Sequence, residues 1–394
     1  MKIAYLTDYL GRKFINKYLK DRKYAVSGTL KSQGIARALL KANHEVIIFS
    51  TGSTLSNSKI KSFSEIEEFP EGKLIIQYST ILSYRKFSII NDIIQHNFIK
   101  EELKKYSFDV LLFYNITLRA ALNIGLFKNQ ITILEYEDNI FNKSLVGNKN
   151  NFEWIKKILF NFIIDQTDAV IAVCNGLLLE NKIKYQVLIP GIINEDVTQT
   201  VTKRVNSINK HDPINIILIG GTHYSKGVDL LIKSLHFTKY KCHVKFYGPG
   251  LLNPEIESEI EKLPSYHKVT FEGFFQHKDL IKILDKDADI LINTTRSMGV
   301  GAQSAGFPFK MMEYAATGRP IISSEIGKLD EDFNKHITYY EDENPKNIAC
   351  AIDTVIENYD SKVQLALKLQ DIVLQEYTIE GTSKKIDLLL QEIK

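Results

Sequence analysis

The sequence is short of cysteine, and the three it has, Cys174, Cys242 and Cys350, stand far apart. No two share the spacing of a zinc-ligand pair, and three cannot staple a small secreted scaffold. A reduced, cytoplasmic protein is the expectation. Long apolar runs are missing too. The first residues, MKIAYLTDYL, carry an apolar run broken by Asp8, too short for a secretion signal or a membrane span. They read instead as a buried strand. The nine histidines lack ligand spacing, and DAD at 287–289 runs from a helix into a strand, so no metal site is expected. Neither a P-loop nor a serine nucleophile elbow occurs. Short repeats and low-complexity tracts are absent as well.

What is present is ordinary globular composition: 394 residues, 44% hydrophobic and 25% charged. That length suggests two domains rather than one core. The net charge of +3 is unevenly spread. Residues 1–200 hold 26 Lys+Arg against 20 Asp+Glu, a balance of +6; the remainder holds 24 against 27, or −3. The first 50 residues alone carry 10 basic and 3 acidic groups. A basic first half suits an anionic membrane or a lipid-phosphate substrate, or is simply a solvated surface. Peripheral contact with the inner face of a membrane is carried forward as an expectation; a nucleic-acid partner is not.

Short apolar runs alternate with helical patterns. KIAYL, VIIFS (46–50), LIIQYS (74–79), VLLFY (110–114), ITILEY (131–136) and AVIAVC (169–174) read as strands. Ile35, Ala38, Leu39 and Ala42 mark one face of a helix, with Ser27 and Gly28 standing before it. VTQTVTKRVNSINKHDP (197–213) is polar and lacks helical periodicity, so it reads as a linker. The pattern then restarts with INIILIGG, a helix on Val228, Leu231, Ile232 and Leu235, HVKFYG, VTFEG, DILINTT, PIISSE and ITYY. Near-continuous apolar strands separated by helices indicate parallel sheets covered on both faces. Ligands of such sheets bind beyond the carboxyl ends of the strands, so two sheets imply a cleft between them.

Two strand-to-helix turns of the second half are chemically alike. LIGGTHYSKGVDLL places Gly220 and Gly221 before Lys226, and FPFKMMEYAATGRP (307–320) places Lys310 in a first helical turn. A helix dipole disfavours a cation there by roughly 0.3–1 kcal/mol, so both lysines make sense beside an anion. The alternative for either one alone is a solvated surface charge. Glu313 lies one turn beyond Lys310 on the same face, where it can accept from a sugar diol or form a surface pair.

These segments, together with VKFYGPG, VTFEGFFQHKDLIKILDKDADILIN and DAVIAVCNGLLLENKIKYQVLIPGI, resemble nucleotide-sugar glycosyltransferases of the GT-B fold, in particular glycosyltransferase family 4. The resemblance implies two Rossmann-like, doubly wound α/β domains facing a cleft. Their expected bounds are 1–198 and 199–376, with a helix at 377–394 returning to the first domain. It implies that Lys226 binds the donor diphosphate and that Glu313 contacts the ribose. The backbone of Phe307, Phe309 and Lys310 approaches phosphates and sugar, and Gly248 and Gly250 lie near the base. Gly28 would occupy a flexible loop where acceptor and donor meet. Two positions depart from the family: Gly221 stands where an arginine is common, and Ala305 where a first glutamate is common. Lys310 can replace the arginine's charge; Gln303, Ser304 and Arg296 are candidates for the lost sugar contacts.

In the first half, ITILEYEDNIF ends a strand with Glu135, Glu137 and Asp138. Glu137 and Asp138 should reach the cleft and orient hydroxyls, or else cap a helix or pair with lysines. The loop 8–27, basic and aromatic, suits a phosphate-bearing acceptor or is a solvated loop. FEWIKKILFNFII (152–164) holds the only tryptophan, Trp154. It reads as an interfacial helix with Lys156 and Lys157 at headgroup level, or as a helix covering the sheet.

The expectation is therefore a retaining, metal-independent transferase of hexosyl or N-acetylhexosaminyl type. It would need no cofactor beyond a nucleotide-sugar co-substrate, UDP-sugar favoured, and a glycan or lipid-linked acceptor in bacterial surface polysaccharide assembly. Its rivals are a catalytically idle binding partner and a nucleotide-sugar epimerase of the same fold.

Overall fold

The computed structural model describes residues 1–19, 26–50, 52, 59–82, 84–141, 153–202, 207–250, 254–275, 277–297, 306–325, 329 and 331–394. Positions 303–305, part of the basic loop (20–25) and part of the linker (203–206) lie outside these. The first sheet contains β1 (Lys2–Thr7), β2 (Glu45–Ser50), β3 (Phe63–Phe69), β4 (Gly72–Tyr78), β5 (Val110–Tyr114), β6 (Ile131–Tyr136), β7 (Ala169–Ala172) and β8 (Tyr185–Leu188). The second contains β9 (Ile214–Ile219), β10 (Cys242–Tyr247), β11 (Lys268–Gly273), β12 (Ile290–Asn293), β13 (Ile321–Ser324) and β14 (Thr338–Tyr340). The helices are α1 (Arg12–Phe14), α2 (Val26–Lys41), α3 (Tyr84–Glu102), α4 (Leu118–Ile124), α5 (Glu153–Ile164), α6 (Glu195–Thr198) and α7 (Val228–Ser234). Then follow α8 (Pro254–Glu261), α9 (His277–Asp287), α10 (Lys310–Ala316), α11 (Glu331–Asn334), α12 (Pro345–Glu357), α13 (Tyr359–Glu376) and α14 (Ile379–Ile393).

The strand orders are β3-β4-β2-β1-β5-β6-β7-β8 and β11-β10-β9-β12-β13-β14. All pairings are parallel except β3–β4. In each sheet the strand order reverses at one point, between β1 and β5 and between β9 and β12. Those are the switch points at which doubly wound sheets open a crevice. Buried strand β7 carries only apolar residues, and β12 is apolar up to its final Asn293, because helices cover both their faces.

Three local expectations change. The antiparallel edge strand β3 is an addition, and its buried positions are Glu65 and Glu67 while Ile66 is 62% exposed. Those carboxylates accept from the backbone N–H of Lys13 (2.7 Å) and Arg12 (2.5 Å), and Glu67 also accepts from Tyr9 Oη. The segment after β1 is consequently no free loop: α1 and a π turn (Ile15–Leu19) bury Tyr9, Phe14 and Leu19, and Phe14 stacks on Tyr78. Gly28 lies in the first turn of α2, not before it, with open space around a Cβ. A first-turn residue owes no i−4 hydrogen bond through its N–H, so glycine costs little there.

The chain crosses back at its far end. Ile193 N–H donates to Tyr377 O (2.7 Å), and α14 packs on α2 and β8, setting Ile379, Ile386, Leu389 and Leu390 beside Ile35, Ala36 and Leu39.

Candidate active site

At the second switch point β9 ends on Ile219 and runs into Gly220, a short 3-10 turn (Tyr224–Lys226) and α7. Three glycines allow the close approach. A Cβ on Gly248 would sit 2.2 Å from Gly220 O, and one on Gly250 2.0 Å from Thr222 Oγ1. Gly227 takes φ 65°, and its Cβ would meet Thr294 O at 2.1 Å. The Lys226 turn is thereby pressed onto the end of β12, where Thr294 Oγ1 also donates to Lys226 O (2.7 Å). A register shift at Phe246/Tyr247 re-aims the 248–250 turn.

Two ammonium groups converge here. Lys310 is half-buried, with Nζ donating to Ile219 O (3.0 Å). Burial and the neighbouring Lys226 push its pKa down to about 7. Burial also lowers the pKa of Lys226, while Asp138 of the other domain pulls it back up. Asp138 is thus close enough to feel Lys226 across the cleft. Its own pKa is raised, by burial and then by Glu137, against the pull of Lys31, Asn115 and Lys226.

The facing side of the cleft is built on the carboxyl ends of β5 and β6. Asn115, at φ 57°, accepts through Oδ1 from Glu137 N (2.8 Å) and Asp138 N (3.0 Å), and donates Nδ2 to Asp138 Oδ2 (3.2 Å). Lys31 on α2, 3% exposed, bridges Glu135 (3.3 Å) and Glu137 (3.1 Å). Tyr5 Oη donates to the fully buried Glu135. Burial opposes the charge on Lys31, yet Glu137 and Glu135 outweigh it and its pKa is raised.

Contacts between the domains fix the spacing. Phe309 and Met312 pack where a Cβ on Gly191 would come within 2.9 and 3.0 Å, and a Cβ on Gly306 would lie 2.9 Å from Glu137 O. Asn175 Nδ2 donates to Leu329 O.

Residues 213–358 match the family model described as glycosyl transferases group 1. Among curated proteins, the D-rhamnosyltransferase WbpZ of Pseudomonas aeruginosa is 25% identical over 163 residues, 41% of this chain and 40% of that one. The phosphatidylinositol N-acetylglucosaminyltransferase gpi3 subunit of Schizosaccharomyces pombe is 24% identical over 261 residues, 63% of this chain and 55% of that one. The chain therefore spans about half the length of the curated relatives it matches. Among solved structures, sucrose-phosphate synthase from Thermosynechococcus elongatus covers 100% of this chain and 99% of its own, with TM-score 0.69 and 16% identity. Anabaena HepE in complex with UDP covers 100% of both, with TM-score 0.65 and 12% identity.

The chain has the GT-B fold.

Within this GT-B frame the structure gathers Gly220, Gly221, Lys226, Gly248, Gly250 and Lys310 at one strand edge, opposite Asp138. The other candidates are occupied differently. Glu313 binds His277 Nε2 through Oε1 (2.5 Å), a bond that raises the histidine's pKa against its burial. Phe307 packs edge-on to Phe333 in the core, and Phe309 spends its ring on Gly191. Arg296 is engaged within its own domain. Asp229 holds its Nη1 and Nη2 at 2.9 and 2.8 Å, Glu343 lies 3.2 Å from Nε, and Tyr224 stacks on its guanidinium. It lines a surface cavity of about 900 Å³ with Tyr224, Lys233 and Glu255, which neither Lys226 nor Lys310 borders. Lys31, Asn115 and His277 went unforeseen. The only sequence signals were a lysine on a helix's buried face, a polar group just past a strand and another opening a helix.

Proposed function

We propose that this protein is a glycosyltransferase that moves a sugar from a nucleotide-diphosphate donor, UDP-sugar favoured, to a hydroxyl of a glycan or lipid-linked acceptor. The observation that carries this is the pair Lys226 and Lys310 beside the glycine turns, facing Asp138 across the cleft. Two lysines with depressed pKa values gain most from a ligand bearing two or more negative charges. A departing diphosphate is such a group, and fixed positive charge in a half-buried cleft stabilises it as it leaves. The reaction would run without a divalent metal, because the ammonium groups supply that charge. Retention of configuration follows from the family resemblance alone. UDP complexes of a relative in fold support the choice of uracil nucleotide.

The test is the thermal stability of the purified protein with UDP, GDP, ADP and their sugars in EDTA. A ligand at about 100 times its dissociation constant adds roughly 2.7 kcal/mol to the folded state. UDP and UDP-sugars should raise the midpoint, and chelation should not reverse the rise. A well-folded protein indifferent to every nucleotide overturns the reading.

Lys310 makes binding depend on pH. With its pKa near 7, the ammonium is lost as pH rises from about 7 to about 9. UDP affinity should fall over that interval by up to roughly tenfold per unit, with a proton taken up on binding at pH 8. Calorimetry in two buffers of different ionisation heat reads that proton, and Lys310→Arg should flatten the profile. The empty protein should grow more stable over the same rise, because its unfolded chain still holds the proton.

A further inference from the structure

Glu313 sits in the first turn of α10, on the face that carries Lys310, and is 6% exposed. A carboxylate has two oxygens to satisfy. Oε1 meets His277 Nε2 at 2.5 Å. Oε2 has no hydrogen bond among the described residues and is not sealed from solvent.

The sheet order tells where that open oxygen lies. The strands run β11-β10-β9 at this edge. Lys310 Nζ reaches back to Ile219 O at the end of β9, beside the Gly220–Lys226 turn, whereas His277 opens α9 just after β11. Glu313 therefore stands between the two lysines and the end of β11. That flank has room. A Cβ on Gly273 would meet nothing within 4 Å, and Phe274 is 62% exposed. A nucleoside diphosphate with its phosphates at Lys226 and Lys310 and its nucleoside on the β11 flank carries its ribose past Glu313.

His277 is braced in turn. Its bond to Glu313, with Asp196 of α6 adding a second negative charge, raises the imidazole pKa against the pull of burial. α6 packs on both α9 and α10, and Glu195 beside Asp196 is gripped by Arg37 of α2 at 2.9 and 2.5 Å. Glutamate has a long stem with several torsions. A carboxylate fixed before the ligand arrives spares the ligand the entropy of fixing it.

We propose that His277 is a positioning residue for the donor: by holding Oε1 of Glu313 it turns Oε2 towards the ribose hydroxyls, and so makes the site select ribonucleotides over deoxyribonucleotides. The inference rests on the nucleotide-sugar reading above. A site built to accept from a hydroxyl leaves its carboxylate unpaired when that hydroxyl is missing, which is how such sites discriminate.

Calorimetric titration tests it, with UDP, or whichever of GDP and ADP the protein binds, beside the 2′-deoxy counterpart. The parent should prefer the ribonucleotide by roughly 10–100-fold, the worth of one hydrogen bond to a charged group. His277→Ala should weaken the ribonucleotide and barely change the deoxynucleotide, so that the two affinities converge. His277→Gln, whose amide can still donate to Glu313, should restore much of the gap. Adding His277→Ala to Glu313→Ala should cost little beyond Glu313→Ala alone, because the two act as a unit. In turnover the loss should fall on KM more than on kcat, since the ribose contact is the same in ground and transition states. Should the alanine variant fold poorly, His277→Leu keeps the bulk without the donor and answers the same question. Equal losses for both nucleotides, in a variant that keeps the parent's melting midpoint, would reduce His277 to a brace between α9 and α10 and overturn this inference alone. A parent that binds both nucleotides equally well does the same. A parent that binds no nucleoside diphosphate overturns the inference together with the reading beneath it.

Discussion

Lys226→Ala should lower kcat/KM for donor turnover by roughly 10²–10³-fold, the cost of removing one preorganised group from a developing negative charge. The same variant should be at least as stable as the parent without nucleotide. Burial lowers the pKa of Lys226, which means that the folded protein holds that charge less comfortably than water does. Removing the charge relieves the strain, and the unoccupied fold gains. Loss of turnover without loss of stability is what separates a binding group from a structural one. Equal losses of both, or unchanged kinetics, would remove Lys226 from the donor site. Differential scanning fluorimetry beside initial-rate kinetics makes the comparison.

The second large effect is the reverse case, a charge that the fold needs. Lys31→Met leaves Glu135 fully buried with Tyr5 as its remaining described partner. Breaking a buried ion pair from one side costs about 3–5 kcal/mol. For a domain of this size that is a fall of roughly 6–20 °C in melting midpoint. The loss should vary with pH. Burial already raises the pKa of Glu135, and Lys31 holds it down. Without Lys31 it rises further, so the folded variant binds a proton that the unfolded chain releases above the ordinary carboxylate range. Stability then falls as pH rises through that window, and the variant should be hurt less at pH 5 than at pH 8. Adding Glu135→Gln should recover most of the loss. Urea denaturation at both pH values reads all of this.

How much was legible follows from what each residue's partners are. The six strands of the second sheet were readable because each is a short apolar run closed by glycine or polar residues. Lys226 and Lys310 were readable because a lysine at a helix start conflicts with the local dipole, and a conflict is visible without coordinates. Strand β3 was not, since its inward positions are Glu65 and Glu67 and its outward one is Ile66, which inverts the usual alternation. The pairing of Arg296 with Asp229, 67 residues away, could not be read from the sequence because the fold chooses that partner. The Glu313–His277 pair spans 36 residues and was hidden for the same reason. Lys31 reads as a surface lysine until Glu135 and Glu137 are placed above it.

The return of α14 to α2 bears on how the molecule is made. A ribosome that has released residues 1–200 has released every strand of the first sheet but not the helix that covers α2. Until residues 379–393 emerge, Ile35, Ala36 and Leu39 lack their neighbours Ile386 and Leu389. The second sheet has no such debt, because its strands and its helices α7 to α13 lie between 214 and 376. The half translated first would therefore be completed last, held open to chaperones while its younger partner is already packed.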